Sequence, residues 1–295
     1  MRDKRDSIAK ILASFGKCYD VAHLIWLEQQ ELPSDHRELL TSPMNSLCFF
    51  ASYVHERSGR SPQFSLYHRI AIKKVYGKGL DVMSFNFADS VWNEFEKLTP
   101  YDEKEKNRHK TNEKLTKGPV KEVLVKLKKN GEANLIKYLT GMPLKEAYRF
   151  LIEIKGIGHK LASLFLRDIW SYIKKWPDTP QNDEKFLQPR DIWLQRLSKE
   201  AFPNIRNWPQ NEIEFAEKLV KLCKGEAIDP VEFNKGAWFV GSHFKGLCIF
   251  SKVPEVERVG SNDRINIDKI KNFDIDAVWN ALKAFRDHEM KAFWV

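Results

Sequence analysis

The stretch IEIKGIGHKLASLFLRDIW, residues 152 to 170, sets two glycines and a lysine between two apolar runs of helical period. Lys155, Gly156, Ile157 and Gly158 read as a turn, with KEAYRFLIEI as the helix before it and HKLASLFLRDIW as the helix after it. The two glycines permit positive φ and remove the side chains that would block close approach to a ligand. Such a turn also points backbone N–H groups outward at a helix start, where the positive end of the dipole favours a phosphate or another anion. The same end disfavours an ammonium, so Lys160 stands where a lysine is helped toward the neutral amine that a nucleophile requires. Farther on, Pro189-Arg190-Asp191 precedes another helical pattern and supplies a carboxylate. Each feature also has a plainer reading: a tight αα-hairpin, a solvent-facing helix lysine and an N-cap aspartate.

The elements that must hold these residues are helices. Apolar positions recur at three and four in SIAKILASFG, NSLCFFASYVHERSG, FSLYHRIAIKKVYG, FADSVWNEFEKL, KEVLVKLKKNGEANLIKYL and LKEAYRFLIEI. Ser42-Pro43 marks one helix start, and Pro143 sits where another begins. Beyond Trp170 the same pattern returns in RDIWLQRLSKEAF, NEIEFAEKLVKLCKG, DPVEFNKGAWFVGSHF and DIDAVWNALKAFRDHEMKAFWV. The fold class is therefore all-α. The exception is residues 246 to 270, where GLCIF and RINI alternate with turn residues and predict short strands or an extended excursion. Residues 101 to 130 are dense in charge of both signs and read as a solvated loop running into an amphipathic helix. A second reading makes Lys126, Lys128 and Lys129, near Gly131, track a nucleic-acid backbone.

Composition narrows the partners. The 295 residues carry 49 Lys+Arg against 40 Asp+Glu, a net charge of +9, which suits a polyanion better than an acidic protein. No stretch has the apolar length of a membrane span, and MRDKRDSIAK does not read as a signal peptide, so no membrane is expected and the location is cytoplasm, nucleoid or nucleus rather than secretion. Cys18, Cys48, Cys223 and Cys248 lie far apart, without zinc or iron–sulfur spacing. They read as reduced packing residues; no metal and no cofactor is expected.

The run Ile154-Lys155-Gly156-Ile157-Gly158-His159-Lys160, followed by Pro189-Arg190-Asp191, resembles the helix-hairpin-helix of the DNA glycosylase superfamily that includes endonuclease III and the 8-oxoguanine DNA glycosylases. In that family the turn reads apolar, x, Gly, apolar, Gly, x, Lys, and an essential aspartate follows the second helix, often as Pro-x-Asp. The resemblance is strongest over residues 143 to 197. Lys155 stands where the family usually has proline. The interval from Lys160 to Asp191, 31 residues, is longer than in most members and resembles the archaeal 8-oxoguanine type. KGIGHKLASLFLRDI also resembles the second class of 8-oxoguanine glycosylases, and no iron–sulfur cysteine set follows, which favours these branches over the pyrimidine-lesion branch.

The resemblance implies a two-lobed all-helical enzyme acting on double-stranded DNA, with residues 45 to 170 as a barrel-like lobe ending in the hairpin. Residues 1 to 44 and 171 to 295 would form the lobe that carries Asp191. It implies DNA repair by base excision: a flipped-out oxidised purine, 8-oxoguanine, is removed, and a Lys160 Schiff base then nicks the strand as an AP lyase by β-elimination. Asp191 would stabilise positive charge on the sugar and assist proton transfer, while Lys155, Gly156, Gly158 and His159 would contact the DNA backbone. A monomer suits an enzyme that scans one duplex. The alternatives are a glycosylase for another damaged base and a non-catalytic hairpin DNA-binding protein.

A base pocket needs aromatics and a few polar groups. Asn234, Trp238 and Gly241 recur at i, i+4 and i+7, beside an apolar face of Phe233, Ala237 and Val240. Trp238 is the candidate to stack on the flipped base and Asn234 to contact its edge; a tryptophan packed in the core is the other reading. Further pocket residues are expected around Asn45 and from Trp92. Arg167, two turns after Lys160, either reaches a phosphate or base or is a surface arginine. His159 either donates to a phosphate or to the Asp191 region, or is an exposed cap.

Overall fold

Over the described residues, spacing at three and four does become helix: they form thirteen α-helices, one short 3-10 helix (Glu184–Leu187) and no strand. The computed structural model describes residues 7–29, 32, 36–55, 63–99, 106–173 and 183–243, with a few positions between 274 and 283. Cys248 and the expected excursion at 246 to 270 lie outside the described residues. Among the described residues, no helix is long and apolar enough to cross a membrane.

The chain divides into two units, Met1–Gln29 with Pro180–Val295, and Gln30–Thr179. The first holds α1 (Ile8–Ser14), α2 (Gly16–Gln29), α11 (Ile192–Ala201), α12 (Glu212–Gly225) and α13 (Pro230–His243). Its core gathers Leu12, Phe15, Leu197, Phe215, Phe233 and Val240. Helix α13 runs through the middle of it and comes unusually near its neighbours. A Cβ placed on Gly236 would lie 1.7 Å from the Leu12 carbonyl oxygen, and one on Gly241 would lie 2.3 Å from the Trp193 ring. These two glycines are what allow the approach.

The second unit holds α3 (His36–Thr41), α4 (Pro43–Val54), α5 (Gln63–Gly77), α6 (Phe87–Leu98), α7 (Lys106–Lys129), α8 (Leu135–Thr140), α9 (Leu144–Ile152) and α10 (His159–Ile173). Helix α4 starts as its sequence predicts: Ser42 Oγ accepts the Asn45 N–H at 3.2 Å, and Pro43 fills the first turn. From Ser46 to Val54 every residue is buried, as a central helix requires. Phe49, Phe50 and Tyr53 set their rings 5.5, 5.4 and 5.3 Å from that of Phe165, which packs α4 against α10.

Helix α7 departs from the loop expected at its start. It is helical from Lys106 through Gly118-Pro119, two residue types that ordinarily disfavour a helix interior. Its buried side, with Leu115, Thr116, Val120, Val123, Leu124 and Leu127, is continuous across the proline. Tertiary packing of that side outweighs the missing proline N–H.

Candidate functional site

The hairpin is built from anchored and open positions. In α9, Leu144, Ala147, Tyr148 and Leu151 form the buried face. Beyond it, Ile154 and Ile157 are buried as well, and the Ile157 N–H donates to the Ile154 carbonyl at 2.9 Å, closing the turn. Between and after these anchors Lys155, Gly156 and Gly158 are exposed. Gly156 has φ +92°, a conformation that an L side chain rarely adopts, and nothing lies within 4 Å of where a Gly158 Cβ would be. The Gly158 carbonyl accepts the Ala162 N–H at 3.0 Å and so begins α10. Lys160, half-buried, falls in the first turn of that helix.

One partner of the turn comes from 33 residues away. The Lys155 N–H donates to Glu122 Oε2 of α7 at 2.6 Å, and one turn later Lys126 reaches Glu153 Oε2 at 2.5 Å. Lys126 holds the Glu153 carboxyl below the usual carboxylate range and lies 5.1 Å from the Phe150 ring centroid. Helix α7 thus braces the hairpin. Lys126, one of the three lysines considered for backbone tracking, is engaged in this brace.

Two sequence expectations need correction. His159 is neither an exposed cap nor open to a phosphate: it is 6 % exposed, with Nδ1 3.0 Å from Tyr148 Oη and 3.5 Å from Ser163 Oγ. It joins α9 to α10 beneath the turn. Arg167 is not a surface residue, since α10 is buried all round from Leu161 to Ile169. Its Nε donates to Asp168 Oδ1 at 3.0 Å, and Asp168 Oδ2 accepts from Tyr53 Oη at 3.0 Å. A buried charge needs such company, and Tyr53 lies 115 residues away.

Asp191 belongs to the other unit and caps α11. Its Oδ1 accepts the Leu194 N–H at 2.7 Å, which fixes the carboxylate on its backbone. Arg190 beside it stacks over the Phe215 ring at 5.2 Å and donates to Gln195 Oε1 and to the Gln210 carbonyl. In α13, Asn234 is buried, Gly241 lies under Trp193, and Trp238 meets Tyr19 edge-on at 5.4 Å as part of the surrounding core. Asn45 stands in the first turn of α4, its amide 3.4 Å from Glu38. Trp92 is buried between Phe95 and His109 in the second unit.

The sequence offered no local signal for Glu122 or Tyr148 as supports of the turn. Cys18, Cys48 and Cys223 are buried and reduced; burial pushes the Cys18 and Cys48 thiols up to about 12, and raises that of Cys223 too. Such thiols are poor nucleophiles. Among the described residues, no group of three or more His, Cys, Asp or Glu side chains is placed to hold a metal ion. What the hairpin offers chemically is an open backbone turn at a helix start, with one amine in the following turn. No family model matches the chain, and neither curated proteins nor solved structures provide a match.

Proposed function

We propose that the chain is a two-lobed helix-hairpin-helix DNA glycosylase with AP lyase activity that excises an oxidised purine, most specifically 8-oxoguanine. The observation that carries this reading is the turn itself: Gly156 at φ +92°, open space at Gly158, and Lys160 in the first turn of α10. Lys160 attacks C1′ as the neutral amine, the N-glycosidic bond breaks, and the damaged base leaves with the bonding electrons. The attacking amine loses its proton and the C1′–O4′ ring bond opens, leaving a hydroxyl at C4′ and a Schiff base at C1′. This makes the C2′ proton acidic, and its removal with cleavage of the C3′–O bond expels the 3′ phosphate by β-elimination. Asp191, held by its cap bond, supports positive charge on the sugar and aids proton transfer. The duplex is unstacked at the lesion so that C1′ becomes reachable.

Borohydride trapping tests the reading. Duplexes carrying 8-oxoguanine, an oxidised pyrimidine, uracil or no lesion are mixed with the protein and reduced. The expected result is a covalent band with 8-oxoguanine that disappears in Lys160→Gln. A band with a different lesion only would move the substrate, and binding without base release or a band would leave a non-catalytic hairpin protein. Asp191→Asn separates capping from chemistry, because asparagine caps about as well as aspartate. It should leave the melting temperature nearly unchanged while slowing base release by about 100-fold or more.

A further inference from the structure

The second unit carries a basic face that the hairpin chemistry does not use. Helix α7 holds nine Lys and Arg against two acids, Glu113 and Glu122. On its outer side Lys110, Lys114, Lys117, Lys121, Val125 and Lys128 recur at intervals of four, three, four, four and three, which is one helical stripe. At about 1.5 Å per residue the stripe runs for about 27 Å. Lys117 is paired with Asp89, and Glu113 lies 4.0 Å from it. Among the described residues, no carboxylate comes within ion-pair reach of Lys110, Lys114, Lys121 or Lys128.

Beside the stripe stands an aromatic side chain with little to pack against. Phe85, in the turn before α6, is 88 % exposed, the most open of the large hydrophobic residues described. The Lys121 Nζ lies 5.8 Å from the Phe85 ring centroid. Val125, within the stripe, is 47 % exposed. An exposed ring flanked by an unpaired cation combines the two contacts a nucleic-acid strand offers, a π-face and a phosphate.

We infer that the α7 stripe and Phe85 form a nucleic-acid-binding surface additional to the hairpin: the lysines follow the phosphates of one strand, and Phe85 stacks on a base where stacking is interrupted. The length of the stripe matches about eight phosphates at ~3.4 Å per nucleotide. A lone ring fits one base rather than a run of them. The surface shares the ligand of the proposed function but needs none of its chemistry. A different side of α7, through Glu122 and Lys126, braces the hairpin turn, so stripe and hairpin belong to the same unit.

The test is fluorescence anisotropy with a labelled duplex, either intact or carrying one abasic position, over a salt series. Four substitutions, Lys110→Gln, Lys114→Gln, Lys121→Gln and Lys128→Gln, are combined, with Lys114→Gln plus Lys121→Gln as a milder variant and thermal melting as the folding control. The combined variant should lower the slope of log affinity against log salt by about 3.6, and the milder one by about half as much. Phe85→Ala should weaken the interrupted duplex by about tenfold and leave the intact one unchanged. An unchanged salt slope overturns the surface, as does a stripe whose loss affects binding to anionic phospholipid vesicles but not to DNA. Equal effects of Phe85→Ala on both duplexes overturn the stacking role. Trapping by the unaltered protein with an unchanged slope in the variants would sink this surface and keep the glycosylase; a changed slope with no trapping would do the reverse.

Discussion

In α13, Lys235 and Gly236 lie inside the first unit. Lys235 is buried and meets Asp20 and Glu232, each at 2.9 Å, and Gly236 presses on the Leu12 carbonyl. In the hairpin, Lys155-Gly156 and Gly158 are exposed, and the space beside Gly158 is empty. The two regions use the same residue types in opposite senses. In α13 glycine is an absence that lets two helices meet; at Gly158 in the turn it is an absence that nothing in the described residues fills. The difference comes from position within the element. Gly236 is mid-helix, flanked by the buried Phe233, Ala237 and Val240, whereas Gly156 and Gly158 lie between two helices whose apolar faces are already satisfied. Glycine with lysine therefore signals nothing by itself until the surrounding periodicity says whether it lies within a packed face or outside one.

Gly236→Ala should break this comparison most visibly. The added methyl would meet backbone at 1.7 Å, and no side-chain rotation can relieve that, so α13 must move away from α1. A loss of roughly 3 kcal/mol is expected, seen as a large fall in the melting temperature. A silent Gly236→Ala would mean that the two helices are not in close approach and that both sets of glycines serve the same purpose.

Lys235→Met sharpens the contrast in charge. It leaves Glu232 and Asp20 without their shared cation, and because both are partly open to solvent the cost should be about 1–2 kcal/mol at neutral pH. The sign with pH follows from Glu232, whose pKa is raised, chiefly by burial and against the lowering effect of Lys235. A raised folded pKa means stability that is full below the unfolded value and is lost as pH rises through the folded one. Removing Lys235 raises it further, so the deficit of the variant should be greatest near neutrality and shrink as the pH is brought down through the pKa of Glu232. Denaturant titrations at several pH values check this; a deficit that grows on acidification would contradict it.

The helical class and the hairpin were legible because both are local. The 3.6-residue period and the two glycines lie within one stretch, and α9, the turn and α10 follow it. His159 and Arg167 depart from the pattern for a physical reason: periodicity assigns polar residues in an apolar helix to the solvent side, but α10 has no solvent side over most of its length. Their partners, Tyr148 and the Asp168–Tyr53 pair, are invisible to periodicity, Tyr53 especially so at 115 residues away. Glu122 is likewise 33 residues from the N–H it accepts. In α7, Gly118-Pro119 concealed a helix whose buried face lies on both sides of them. Long-range polar pairing and tertiary override of a breaker are the two things a single sequence does not display.

Of the hairpin glycines, Gly158 gives the smallest effect on stability and the most discriminating test. Gly158→Ala meets nothing within 4 Å and should change stability by no more than about 0.5 kcal/mol. Gly156→Ala must hold φ near +92° and should cost about 1–2 kcal/mol. If the space at Gly158 is where a phosphate approaches the backbone, Gly158→Ala should nevertheless weaken duplex binding by about tenfold, roughly one lost charge-assisted contact. Melting curves and anisotropy on the same preparations separate the two quantities. Loss of binding with unchanged melting places the ligand at the open glycine; loss of both in proportion would make Gly158 a packing residue like Gly236, and the distinction between the two regions would fall.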